Sequence, residues 1–267
     1  NRSGGTSSRN QALVDQALMM NEFKGYSKYY MIGGSASWAN IRGLLLHNVL
    51  DLHLLEESAW KAPNVDVWGI SDLALLREAS DVFTASPEPF IAFIQTAGFH
   101  KPYTIPDDNE GFVMPPDPSD RALKHYGFES VEEYRSMRFA DWALRRFFER
   151  AAGEPWFSNT IFAIFGDHGL TQTSANVTPG YLACGLQAWH IPLLLYSPDG
   201  RIRPGVNSHP HTQPDIFPTL AALAGLDFRT NTLGRDLLDP AHDRDAAAFI
   251  SAADHQRYLI REGYAYN

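Results

Sequence analysis

The stretch Ile161-Phe162-Ala163-Ile164-Phe165-Gly166-Asp167-His168-Gly169 decides how this chain folds. An apolar run with no polar alternation ends abruptly in a carboxylate, an imidazole and a glycine. Such a run predicts a short strand buried on both faces, as in a parallel sheet. Ligands of open α/β sheets gather outside the carboxyl ends of the strands, so Asp167 and His168 stand at a candidate site. A hard oxygen donor beside an imidazole nitrogen is what a divalent metal such as zinc or manganese accepts. A strand followed by an ordinary polar turn satisfies the same letters, and only the context separates the two readings.

Outward from this strand the alternation repeats. Residues 29–32 and 90–95 read as further apolar strands that close on small or polar residues, and 191–196 as a fourth. Amphipathic spacing and terminal signals predict helices over 10–23, 38–46, 71–83, 130–152 and 214–223. In the longest, Tyr134, Met137, Phe139, Trp142 and Phe147 form most of an apolar stripe. Residues 249–252 and 258–260 read as late edge strands. Strands alternating with helices specify the α/β class, with a mainly parallel sheet covered on both faces. Residues 101–127 carry many Pro and Asp residues and read as one long loop near the site.

A chain of 267 residues allows one large α/β domain, or two small ones, with a sizeable core. Hydrophobic residues at 44% and charged residues at 20% exclude a disordered chain. The net charge of -9 argues against a nonspecific nucleic-acid binder, whose affinity comes from neutralising phosphates. A phosphorylated substrate stays compatible, because a bound metal inverts the local charge. The lone cysteine, Cys184, excludes an internal disulfide and a cysteine-rich metal site. No apolar run approaches the roughly 18 residues of a membrane-spanning helix.

The polar groups cluster after three strands. The first is followed by Gly33-Gly34-Ser35-Ala36-Ser37-Trp38-Ala39-Asn40-Ile41-Arg42, the second by Thr96-Ala97-Gly98-Phe99-His100-Lys101-Pro102-Tyr103, the third by Gly166-Asp167-His168-Gly169. In a parallel sheet these tips share one edge and one cleft. A metal pair, a further histidine and an arginine suit a phosphate or sulfate ester: the metal acts as Lewis acid, and arginine binds two anionic oxygens at once. His209 and His211, in Asn207-Ser208-His209-Pro210-His211-Thr212-Gln213, read either as ligands of a second metal or as part of a solvated loop. No Gly-x-Gly-x-x-Gly and no P-loop follows a strand, which excludes those phosphate cradles.

Taken together, these stretches resemble the sulfatase-like domain of the alkaline phosphatase superfamily, in the branch of lipoteichoic acid synthase-type phosphoglycerol transferases. Gly25-Tyr26 and the segment from Gly33 to Arg42 are similar to that family's substrate side, and the segment from Phe93 to Tyr103 to its histidine loop. Asp141-Trp142, then Asn159-Thr160-Ile161 leading into Gly166-Asp167-His168-Gly169, form the most specific match. Ile191-Pro192-Leu193-Leu194-Leu195-Tyr196-Ser197-Pro198 and Gln213-Pro214-Asp215-Ile216-Phe217-Pro218-Thr219-Leu220 complete it.

The resemblance implies an α/β/α sandwich, a metal on Asp167 and His168, and headgroup contacts from His100, Trp38, Asn40 and Arg42. Manganese is the favoured ion, with zinc, calcium or magnesium compatible. It implies a hydrolase or transferase acting on phosphate or sulfate esters of envelope components, at the extracytoplasmic face of a bacterial inner membrane or in the periplasm. The expected partner is an anionic ester on a lipid or glycan headgroup, and no nucleic acid. The sequence departs from the family in two places. Phe99 precedes His100, where a polar residue is expected. The family also sets an acidic ligand and a nucleophile ahead of the Gly25-Tyr26 region; here Thr6 is the candidate nucleophile, and the same Thr6-Ser7-Ser8 reads equally as a linker. Residues 1–267 are therefore expected to form a sulfatase-like catalytic domain without its amino-terminal strand and membrane anchor. The alternative is a binding domain that keeps the fold without the nucleophile.

Overall fold

The computed structural model describes residues 15–87, 89–170, 172, 174–230, 232–251 and 257–266. Strand β1 (Ser27–Ile32) pairs in parallel with β2 (Leu52–Leu55) on one side and with β3 (Phe90–Gln95) on the other. Successive side chains of β1 face opposite ways. Tyr29 and Met31 join a core with helices α2 (Asp72–Ala85) and α4 (Val131–Ala151), which pack on each other. Tyr30 and Ile32 join a second cluster with Ala36, Ile41, Leu45 and Leu54, which seats helix α1 (Ile41–Asn48). With helices on both faces, β1 has no polar side to show, which explains its unbroken apolar reading.

The long helices form where their ends are chemically marked. Ser71 and Ser130 stand just before α2 and α4, and their hydroxyls accept from Ala74 N at 3.2 Å and Glu133 N at 3.2 Å. Asp72, Glu132 and Glu133 add negative charge to the first turns. Between the helices and the sheet lies an aromatic nucleus. Phe83 stacks on Phe90 at 4.8 Å, and Trp156 meets both Phe83 and Phe147.

Several elements depart from the sequence reading. The apolar run before Asp167 forms β4 (Phe162–Phe165), but β5 (Leu193–Tyr196) pairs with it antiparallel. An apolar run specifies a strand and says nothing of its direction. Among the described residues β3 and β4 share no hydrogen-bonded ladder; they meet where the Phe93 and Phe165 rings lie 6.0 Å apart. Both strands are half-buried along their lengths. The long loop after β3 contains a short helix, α3 (Asp120–Tyr126), begun by Ser119 and stopped by Gly127 at φ 82. Residues 38–46 do not form one helix: Trp38–Asn40 is a separate tight turn, with Ala39 and Asn40 at φ 51 and 56 before α1 begins. Met137 lies off the apolar stripe of α4 at 48% exposure. Ser136, Ala143 and Ala151 are buried there, small enough to let α2 approach. The expected helix over 10–23 falls partly outside the described residues, and its end is a tight turn at Met19–Glu22. Helices α5 (Pro179–Ala183) and α6 (Ile216–Leu223) follow β4 and β5. The late strands β6 (Ala248–Ser251), β7 (Arg257–Arg261) and β8 (Tyr264–Tyr266) form an antiparallel sheet of their own. No helix among the described residues is long and apolar enough to cross a membrane.

Candidate active site

Asp167 and His168 follow β4 and open to solvent, at 87% and 60% side-chain exposure. Their metal-competent atoms, Asp167 Oδ2 and His168 Nε2, lie 3.9 Å apart. His168 Nδ1 lies 2.8 Å from the Gly169 carbonyl. A carbonyl only accepts, so in the neutral ring Nδ1 carries the proton and Nε2 keeps its lone pair. Two acceptors therefore face one another, an arrangement that a cation between them would relieve. Metal-ligating histidines are commonly fixed in this way by a carbonyl behind the ring.

The turn is braced from behind. Gln213, just ahead of α6, donates its amide to the carbonyls of Gly166 at 2.9 Å and Asp167 at 3.0 Å. Gly169 N donates to Ala188 O, and a Cβ on Gly169 would sit 2.1 Å from the Gln187 carbonyl. Any side chain there would push the turn off its support.

The second cluster gathers around His100, beyond β3. Asp72, buried under the start of α2, accepts from Ala97 N at 2.9 Å and Gly98 N at 3.0 Å. Burial pushes the Asp72 carboxyl above the ordinary carboxylate range, and these two N–H groups oppose that shift. Trp68 lies against the His100 ring at 4.3 Å and against Trp38 at 5.8 Å. Trp38 is 48% exposed. Trp68, a tryptophan that the sequence reading passed over, thus stands between Trp38 and His100. Beyond His100, Lys101 Nζ pairs with Glu129 at 2.6 Å.

The junction of α3 and α4 contacts the segments that follow β3 and β4. Glu129 holds the His100 loop through Lys101, while Ser174, six residues past His168, donates to the His125 carbonyl at 2.5 Å. Gly127 lies against Gln172 and Ser174.

Arg42 is less free than its sequence reading suggests. Its Nε and Nη2 donate to the two oxygens of Glu56 at 2.8 and 2.7 Å, and Nη1 donates to Ser37 Oγ at 2.9 Å. Glu56 also accepts from Ala36 N at 2.9 Å. The guanidinium beside it holds the Glu56 carboxyl below its usual range. Asn40 folds back over α1, where a Cβ on Gly43 would lie 2.4 Å from its Oδ1.

His209 is exposed, and its backbone N–H donates to Asn207 at 3.0 Å. His211 buries both ring nitrogens without a hydrogen-bond partner, and burial pushes its pKa down. Thr6 lies outside the described residues. Among the described residues no group of three or more His, Cys, Asp or Glu side chains is placed to hold a metal, so Asp167 and His168 stand as a pair and His209 and His211 gather no third ligand. The pair still fits an ion. Two metal–ligand bonds of about 2.1 Å at octahedral or tetrahedral angles hold their ligand atoms about 3.0–3.4 Å apart, so these two exposed side chains need close by only about 0.5–0.9 Å to share an ion. Gln213, Glu56 and Trp68 are the residues that sequence reasoning missed. Each acts through another residue, and only Gln213 had a local sign, a polar side chain just before the Pro that opens a helix.

Residues 16–226 match the Sulfatase family model. Lipoteichoic acid synthase 1 of Bacillus subtilis (strain 168) is 23% identical over 241 residues, covering 86% of this chain and 36% of the relative. The chain thus spans about a third of the length of that curated relative. Among solved structures, a protein of the alkaline phosphatase superfamily from Vibrio parahaemolyticus aligns with TM-score 0.72 and 25% identity, over 97% of this chain and 61% of that one. The lipoteichoic acid synthase LtaP of Listeria monocytogenes aligns with TM-score 0.74 and 16% identity, over 97% and 66%. The α/β architecture is that of the alkaline phosphatase superfamily, and the chain belongs to the Sulfatase family.

Proposed function

We propose that this domain transfers or hydrolyses a phosphate or sulfate ester of an envelope component with the help of a divalent metal held by Asp167 and His168. The observation that carries the reading is the pair itself: Asp167 Oδ2 and His168 Nε2, 3.9 Å apart and solvent-facing, with the imidazole proton tied up on the far nitrogen. A carboxylate and an imidazole suit manganese or zinc, with magnesium or calcium less favoured by the nitrogen donor. When bound, such an ion supplies Lewis-acid polarisation of the ester oxygens.

The remaining roles fall to the chain. His100 offers a ring nitrogen to the ester, Trp38 an exposed apolar wall, and Arg42 a positive charge fixed in direction by Glu56. Thr6 is the candidate nucleophile that the resemblance offers, and Thr6-Ser7-Ser8 reads equally as a linker. Relatives named lipoteichoic acid synthase support a phosphate ester of an envelope polymer, the match to the Sulfatase family keeps a sulfate ester open, and either substrate fits work on the extracytoplasmic side of a bacterial membrane.

The test is turnover of aryl phosphate, phosphodiester and aryl sulfate by the natural full-length protein, with and without manganese. The reading requires metal-dependent turnover of at least one ester, reduced about 100-fold or more by His168→Ala. Metal binding without turnover would identify a binding domain, and no dependence on metal would remove the proposal.

A further inference from the structure

We infer that Trp68 is a positioning residue that fixes the proton of His100 on Nδ1 and so presents Nε2 to the substrate; this rests on the reading of His100 as an ester-facing group. Two donors meet on one acceptor. The Lys101 carbonyl receives the Trp68 indole N–H at 2.7 Å and lies 3.0 Å from His100 Nδ1. Since that carbonyl only accepts, the His100 proton sits on Nδ1 and the lone pair on Nε2. The indole holds the peptide that sets the tautomer, and its ring lies 4.3 Å from the imidazole it serves.

Trp68 can do this because its backbone packs closely against the tip of β1. A Cβ on Gly34 would lie 2.4 Å from the Trp68 carbonyl, and one on Gly69 would lie 2.1 Å from the Gly33 carbonyl. Gly69, at φ +97, adopts a conformation that side chains rarely tolerate. Ile70 N donates to Gly33 O, and Trp68 N donates to Asp66 Oδ1 at 2.8 Å. Trp68 is thereby keyed to the tip of β1, while Asp72 keys residues 97 and 98 at the tip of β3. The tautomer of His100 is set by the fit between two strand ends.

A long-range proton–nitrogen correlation spectrum of the full chain, with His100 assigned through His100→Ala, reads the proton position without any turnover. The expected wild-type signal is the Nδ1–H form, and Trp68→Phe moves it towards a mixture. A proton on Nε2 in the wild type, or an unchanged signal in folded Trp68→Phe, overturns the inference. Even if Trp68→Phe does not fold, a proton on Nε2 in the wild type still overturns the inference. In the ester assay with manganese, Trp68→Phe lowers kcat about tenfold and leaves KM within about twofold, the effect expected for one lost neutral hydrogen bond felt in the transition state. In a His100→Ala background the same substitution changes nothing. A tenfold loss in both backgrounds would show that Trp68 acts elsewhere. Should the wild type turn over no ester, the proposed function fails, and the spectrum alone judges Trp68.

Discussion

Glu56 is the least conspicuous residue at the site and fixes the direction of its arginine. Its carboxylate takes both arms of Arg42 and the Ala36 N–H. Arg42 is 44% exposed, so water screens the pair, and Glu56→Gln should cost only about 1 kcal/mol at neutral pH. The folded-state pKa of Glu56 is depressed, chiefly by the Arg42 hydrogen bond. The contribution is therefore present above the unfolded value of about 4.3 and lost as pH falls through the folded one. Urea midpoints of wild type and Glu56→Gln should differ at pH 7 and draw together as the pH falls below the unfolded value. His211 has the opposite chemistry. Burial lowers its pKa, so below about 6.5 the unfolded chain takes up a proton that the folded chain resists, and stability falls with pH. His211→Phe should flatten the fall in melting temperature between pH 7.5 and 5.5; an unchanged slope would show that His211 is not its source. Residues of this kind were poorly legible in the sequence. Asp167 and His168 announce themselves at the end of an apolar run, but the partners that aim Arg42 and His100 lie 14 and 32 residues away, and no local pattern reports a contact across such a gap.

Helices α2 and α4 were legible because their starts carry hydroxyl caps and their apolar spacing runs for several turns. The aromatic nucleus they press on the sheet should dominate stability. Phe83→Ala removes a buried ring that touches Phe90, Trp156 and Tyr29, and should cost about 3–5 kcal/mol by chemical denaturation. Met137→Lys, at the stripe position that proved exposed, should change stability by less than about 0.5 kcal/mol. A large loss at Met137, or a small one at Phe83, would place the core elsewhere. Short elements escaped the sequence reading for a physical reason. The four residues of β2 are too few to display a period, and α3 is a seven-residue helix inside a stretch dominated by Pro and Asp. The antiparallel pairing of β5 was equally invisible, since an apolar strand reads the same in either direction.

The architecture places two chemically different clusters within reach of a common scaffold. One is a carboxylate, an imidazole and a glycine in the turn after β4; the other is an aromatic and histidine wall built between the tips of β1 and β3. The net charge of -9 makes an unassisted approach of an anionic ester unfavourable, and the cation proposed at Asp167 and His168 would also serve to attract it. Everything proposed for this domain depends on that cation. Isothermal titration of the purified chain with manganese tests it most directly. The account predicts saturable binding that Asp167→Asn and His168→Ala each weaken about 10- to 100-fold or more while the fold is kept. Binding of equal strength in all three proteins, or none in the wild type, would contradict it.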